Sequence, residues 1–546
     1  MNKLSKDSNY LSIRLYQEMS QEDIEFWFDF KQKKFLHNID TFYYSVKLIN
    51  DCTSRTEDKA VINFRKCFDK IYKRMSLSFQ NQEVIQIAGE NYNVLNVTFA
   101  RFYNICIECP EYFHIFIAPT VPASGNAGTD SVTCEIVVQI RSYMLWMYGV
   151  HEAFERSYEI VKQLCNQYRL DIDFVQENRI DFCWHNNYFL RPESFFTIEN
   201  IYKRRVDRYK DALFHTAKVG SEDYEVDYVA MGRRSGKVFV RIYNKTKEVV
   251  QQGYKPFFFK IWLFHGLINR YDFDLYERCF IKGSWKYLTI ARLNFYLEHG
   301  VNQNDKNECK RLINQYEESG NVTDEMISLA DRLTPIPNKV VNVEFQTMRK
   351  STKSYELLPL RDNSLKEKCK RIYDFLDNRK LIIDYLTHDT FRLVKLTGDS
   401  NKSRRDYCAF WEGLRRCRII DITKVPDFLE LVRDTHRNLS KEQMKHRMIN
   451  AAVTYGIYER GINDDNPMKD ILQGLLVVND NDINEAFSYK LRKNKQLNSR
   501  ELPGRDSVND LSQYVLVNRQ TGLVYDDDNT YELISQSPGQ NQEDVI

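Results

Sequence analysis

The sequence predicts an α+β fold, in which helices flank a central antiparallel sheet and a mainly helical region follows toward the C-terminus. Three observations predict it. Residues 132–141, 179–185 and 238–245 carry the period-two alternation of half-buried strands. Residues 151–168 instead place Phe154, Tyr158, Val161, Leu164 and Tyr168 on one side of a helix. Beyond residue 300, residues 302–331 are polar and helix-prone, and from 365 to 391 apolar residues recur at helical spacing among lysines and arginines.

Taken in order, the elements alternate in kind. The strand at 132–141 carries Glu135 and Gln139 on one face, as oxygen donors to a site or as a solvated surface. The amphipathic helix follows, then a second strand, Arg179-Ile180-Asp181-Phe182-Cys183-Trp184-His185. Thr197-Ile198-Glu199-Asn200-Ile201 reads as a helix start. Residues 224–231 lead through a turn containing Gly232, Ser235 and Gly236 into Val238–Lys245. There Val238, Val240 and Ile242 point one way, and Arg241, Tyr243 and Lys245 the other. Residues 340–346 form a further strand, and 441–461 a helix with Met444, Met448, Ala451, Ala452 and Tyr455 on one side.

Tyr243 between two cations is the chemical focus. A phenol has an ordinary pKa near ~10 and is a poor nucleophile unless its anion is favoured. Arg241 and Lys245 are placed to favour it and to hold a phosphate, and Glu248 is placed to orient Lys245 or accept a proton.

The string RIYNKxxE, Arg241 to Glu248, resembles the tyrosine strand of the replication initiation factor (Rep_trans) family. That family contains rolling-circle plasmid initiators, conjugative-element relaxases and filamentous-phage replication proteins. The order of elements from residue 38 to 300 resembles it too, and Arg179–His185 is similar to its R-[IL]-D-x-x-x-D strand. The resemblance implies an HUH-like, ferredoxin-like duplicated sheet and nicking of one strand at an origin. It implies attack by Tyr243, a 5′-phosphotyrosyl intermediate and a free 3′-OH. The partners it implies are single-stranded or supercoiled origin DNA, a host helicase and polymerase, and a second copy in a homodimer.

The departures bear on a metal. His185 replaces the second acidic residue of the Asp181 strand, and His265 in Lys260–His265 stands where the family's W-R-[VI]-E strand has glutamate. Asp181, His185 and His265 are therefore the expected ligands of a divalent ion, Mn²⁺ or Mg²⁺, that would offset phosphate charge. His265 equally fits a core position, and Glu344 in the 340–346 strand is the family's glutamate if an insertion precedes it. A scaffold that binds DNA without cleaving it, and a non-enzymatic interaction protein, are the alternatives.

Composition sets the remaining bounds. The 546 residues allow an N-terminal extension at 1–37, a nicking domain at 38–300, a mainly helical region at 301–494 and a polar tail at 495–546. A formal net charge of +2 makes DNA affinity a matter of local patches. The expected patches are Lys203, Arg204 and Arg205 with Arg208 and Lys210, and Arg233, Arg234 and Lys237. Tyr202, Tyr209 and Tyr254 could stack on bases. Arg404, Arg405, Arg415, Arg416 and Arg418 flank a segment containing Tyr407, Phe410 and Trp411 that either touches a partner or packs on the core. Cys106 and Cys109 make the CxxC pair, without a second pair at zinc-finger spacing. Scattered cysteines, a polar N-terminus and the lack of any ~20-residue apolar run point to a cytoplasmic protein with no membrane span. A P-loop is absent, so unwinding is expected of a separate helicase.

Overall fold

The computed structural model describes residues 13–28, 35–49, 59–77, 82–95, 99, 103–109, 113–118, 134–207, 212–219, 223–234, 236–253, 255–349, 370–419, 429–433, 514–518 and 524–525. The chain divides into two units. One comprises residues 1–248, 259–276 and 286–425, and the other 249–258, 277–285 and 426–546.

Strands β1 (Phe35–Leu48), β2 (Gln82–Ile87), β3 (Glu90–Leu95), β4 (Ile105–Cys109), β5 (Phe113–Ile117), β6 (Ile136–Ile140) and β7 (Ile172–Asn186) come first. They are followed by β8 (Arg205–Asp207), β9 (Ala212–Val219), β10 (Asp223–Met231), β11 (Val238–Asn244) and β12 (Val341–Met348). All but β8 join one eleven-stranded sheet in the order β2-β3-β4-β5-β6-β1-β7-β12-β11-β10-β9. Its pairings are antiparallel throughout. Strand β8 pairs instead with β13 (Phe391–Leu393). The mixture of helices with a large antiparallel sheet is the expected α+β class.

The helices are α1 (Arg14–Glu18), α2 (Gln21–Phe28), α3 (Lys59–Leu77), α4 (Ser142–Tyr148), α5 (Val150–Gln167), α6 (Pro192–Phe195) and α7 (Ile198–Arg204). Those that follow β11 include α8 (Lys245–Gln252), α9 (Phe257–Phe264), α10 (Arg270–Lys282), α11 (Leu288–His299), α12 (Gln303–Ser319) and α13 (Asp324–Leu333). Phe154, Val161 and Leu164 of α5 are buried, as the periodicity requires. Thr197 caps α7 by accepting from the Asn200 N–H at 3.2 Å.

The expected boundary at residue 300 is corrected by β12. This strand lies between β7 and β11 in the middle of the sheet, so the sheet continues past the helical stretch that precedes it. The boundary at 37 falls inside β1. Residues before it are tied to the same unit, since Tyr296 donates to Glu18 at 2.9 Å and the Val301 N–H donates to Glu18 at 2.8 Å. The second unit contains an antiparallel sheet of Leu429–Arg433, Tyr514–Asn518 and Val524–Tyr525, so two short strands fall in the expected tail. The helix expected at 441–461 lies outside the described residues.

The central strands are buried on both faces, and the two faces differ in chemistry. One carries Val240, Ile242, Val343, Phe345, Phe182 and Trp184. The other carries Arg241, Tyr243, Asn342, Glu344, Gln346, Asp181, Cys183 and His185, nearly all buried. Buried polar groups are costly unless paired, so such a face is the place to look for chemistry.

Candidate functional site

Tyr243 sits near the C-terminal end of β11, with Asn342 as its register partner in β12, while Arg241 stands opposite Glu344. Asn244 ends the strand because its side chain accepts from the Lys247 N–H at 2.9 Å and caps α8. Lys245 is thus the first residue of α8, and its N–H donates to the Val340 carbonyl at 2.8 Å. At the other end of the hairpin, Gly232 supplies the positive φ of 84° that the turn requires.

The Tyr243 oxygen has three partners. It donates to Glu344 Oε2 at 3.1 Å, and accepts from Asn342 Nδ2 at 3.0 Å and from Lys245 Nζ at 3.3 Å. Glu344 also forms an ion pair with Arg241. Lys245 pairs with Glu248 at 2.6 Å and lies 3.9 Å from Asp40. Asp40 is the extra residue of a bulge in β1, between the pairs Ile39 with Phe182 and Thr41 with Asp181. Sequence reasoning missed Asp40 and Asn342, since neither belongs to a local motif and only the sheet register brings them in.

The electrostatics reverse one expectation. Burial raises the Tyr243 pKa well above its usual value, Glu248 and Glu344 add to this, and Lys245 and Arg241 offset only part. The resting phenol is therefore neutral. Burial alone would lower Lys245, but Glu248, Tyr243 and Asp40 outweigh it and hold the ammonium charged. Arg241 and Lys245 are thus neutralised by carboxylates, and Arg241, with 18% of its side chain exposed, marks the more open side.

The expected metal ligands do not assemble. Asp181 and His185 share a face of β7 but are four residues apart, about 13 Å along a strand, too far to ligate one ion. Asp181 instead pairs with Arg179 at 2.8 Å, and burial raises its pKa to about 6. His185 is stacked on Trp146 at 4.8 Å, and its Nδ1 accepts from Trp262 Nε1 at 3.0 Å. His265 is off the sheet, because Lys260–His265 is not a strand; it runs through α9 into the following turn. Among the described residues, no three His, Cys, Asp or Glu side chains are grouped to hold a metal. These three residues do not fit a divalent ion together. The segment that stands in the sheet beside Tyr243 is Val341-Asn342-Val343-Glu344, with Asn342 where the W-R-[VI]-E pattern has arginine.

The basic segments separate. Lys203 pairs with Glu199, Arg204 donates to Asn200 at 2.8 Å, and Arg205 pairs with Asp207 at 3.5 Å and lies over the Tyr202 ring at 4.4 Å. Arg233, Arg234 and Lys237 are exposed, but at the far end of the hairpin, about 20 Å along the strand from Tyr243. Arg208, Tyr209, Lys210, Ser235 and Tyr254 lie outside the described residues. Phe410 and Trp411 are buried, Trp411 donating to the Thr387 carbonyl at 2.9 Å, so that helix packs on the core. Glu135 is a buried partner of Lys47 at 2.7 Å and not a solvated residue. Cys106 and Cys109 are both buried. No helix among the described residues is long and apolar enough to cross a membrane.

No family model matches the chain, and no curated protein matches it. Among solved structures it is similar to a rolling circle replication initiator protein from Geobacillus stearothermophilus, at 11% identity and a TM-score of 0.29, over 70% of this chain and 95% of that one. A likeness that loose carries no argument for function.

Proposed function

We propose that this chain is a DNA-nicking transesterase that initiates rolling-circle replication, with Tyr243 as nucleophile. The observation that supports it is the set of hydrogen bonds at the Tyr243 oxygen, which joins a proton acceptor, Glu344, to two donors, Asn342 and Lys245. In the reaction the phenol passes its proton to Glu344 as its oxygen attacks a backbone phosphorus. The bond from phosphorus to the 3′ oxygen breaks, the 3′ oxygen takes a proton from solvent, and the 5′-phosphate stays on Tyr243. Arg241, on the open side, meets the non-bridging oxygens and offsets their charge. Because Tyr243 is neutral at rest, proton transfer accompanies attack. Origin DNA is the substrate in this reading, and a host helicase and polymerase would follow.

Incubating the protein with single-stranded DNA carrying its own element's origin, then mapping the adduct peptide, tests the reading. An adduct on Tyr243, lost in Tyr243→Phe while DNA binding persists, is the expected result. A fully active Tyr243→Phe protein would sink it. The burial of Tyr243, 8% exposed, favours one second reading, a DNA-binding protein that does not cut. Binding without any adduct would select that reading.

A further inference from the structure

We propose that Asn342 is a catalytic residue of this chain, whose amide N–H holds the Tyr243 oxygen and stabilises the negative charge that develops there as the proton leaves. The inference rests on the nucleophile role given to Tyr243 and adds the group that makes a buried phenol competent.

Three features carry it. The amide nitrogen is 3.0 Å from the Tyr243 oxygen and 3.3 Å from Glu344 Oε2. A carboxylate oxygen only accepts, so the nitrogen end of Asn342 is the end that faces Tyr243 and Glu344. Asn342 is fully buried, and its Oδ1 has no hydrogen-bond partner among the described residues. An amide kept for the fold alone would satisfy both ends, since an orphaned buried acceptor costs stability. A valine, like its neighbours Val341 and Val343, would suit this central strand better. The cost is explained if the N–H is needed where it is.

The chemistry follows from what else faces the phenol. Arg241 shares β11 with it, Lys245 and Glu248 come from α8, Glu344 from β12, Asp40 reaches Lys245 from β1, and Tyr228 of β10 lies beside the ring at 6.4 Å. Asp181 acts on the Arg241–Glu344 pair from β7. Both cations there are matched by carboxylates, so the Asn342 dipole is a donor to the phenol oxygen that brings no counter-charge of its own. A preoriented neutral donor aimed at a developing oxyanion lowers the barrier without raising affinity for the substrate.

The test places 3-fluorotyrosine at position 243 of the full chain and follows its ¹⁹F shift against pH without DNA, in the parent and in Asn342→Leu. The expected result is a phenol pKa higher by about one unit in the variant, with nicking slower by ~10-fold or more and DNA affinity unchanged. Asn342→Asp keeps the size, removes the donor and adds negative charge, so it should shift the titration further; it is the variant to read if Asn342→Leu does not fold. A folded variant with the parent's titration and nicking rate overturns the proposal. If the parent forms no adduct, the nuclease reading fails, while the fluorine titration still decides whether Asn342 stabilises the Tyr243 anion.

Discussion

Tyr243 and Glu344 are 101 positions apart in the chain, yet the phenol donates to the carboxylate at 3.1 Å because β11 and β12 are neighbours in the sheet. The same carboxylate is paired with Arg241. One residue therefore holds the nucleophile's proton and the cation proposed to meet the phosphate.

Glu344→Gln should accordingly lower nicking by at least ~100-fold, because an amide cannot take the proton. It should also destabilise the fold by about 3 kcal/mol, since Arg241 keeps its charge in a largely buried place. Single-turnover adduct formation and denaturant unfolding measure the two effects separately. Nicking near the parent's rate would remove Glu344 as the base.

Lys245 tests the second half of the site. Its side chain is 1% exposed and lies between Glu248 and Asp40. Lys245→Met leaves two carboxylates without their cation, and about 3 kcal/mol of stability should be lost. The Lys245 pKa is raised in the fold above its ordinary 10.5. Its contribution is therefore complete at any pH below that value and is lost only as the pH climbs through the higher folded pKa. Urea midpoints of parent and variant should differ by the same amount at pH 6 and pH 8. Equal stability would show that the pair does not hold.

A further pH dependence is set by Asp272, at the start of α10. Its oxygens accept from the Asn269 N–H at 3.1 Å and the Asn338 N–H at 2.9 Å, tying the helical insertion to the approach to β12. Burial raises its pKa from 3.8 to about 7. The folded state then holds this proton more tightly than the unfolded chain, and ionising the group costs stability as the pH rises toward 7. The advantage of the parent over Asp272→Asn should shrink by about 3 kcal/mol between pH 5 and pH 8. A difference that is flat or grows with pH would contradict this.

The sequence showed strands β6, β7, β10, β11 and β12 and the two faces of β11, because period-two alternation is local, but it did not show β1–β5 or β9. It could not show which strands are neighbours. Lys260–His265 is easily mistaken for a strand because α9, FFFKIWLF, is apolar nearly all round, and such a short run has no period to separate strand from helix. That error gave His265 the place that Glu344 holds. Asn342 and Asp40 were invisible for the same reason: one follows a long helical insertion, and the other is a bulge residue whose direction no alternation rule gives. The pairing of Asp181 with His185 failed on distance, since a shared face does not make residues four apart neighbours in a strand.

The two basic segments should also separate in solution, although the sequence made them look alike. Lys203, Arg204 and Arg205 have partners in Glu199, Asn200 and Asp207. Neutralising all three should lower the melting temperature and leave the salt dependence of single-stranded DNA binding nearly unchanged. Arg233, Arg234 and Lys237 are exposed on the turn before β11. Each phosphate they neutralise releases counterions, with a slope of about −0.7 in log affinity against log salt for single strands. Changing all three to glutamine should thus reduce the magnitude of that slope by about 2 and leave stability unaffected. Nicking of saturating DNA should persist, because the turn is at the opposite end of the strand from Tyr243. An unchanged salt slope would mean that the strand does not pass this turn, and that the DNA is held from the Arg241 side alone.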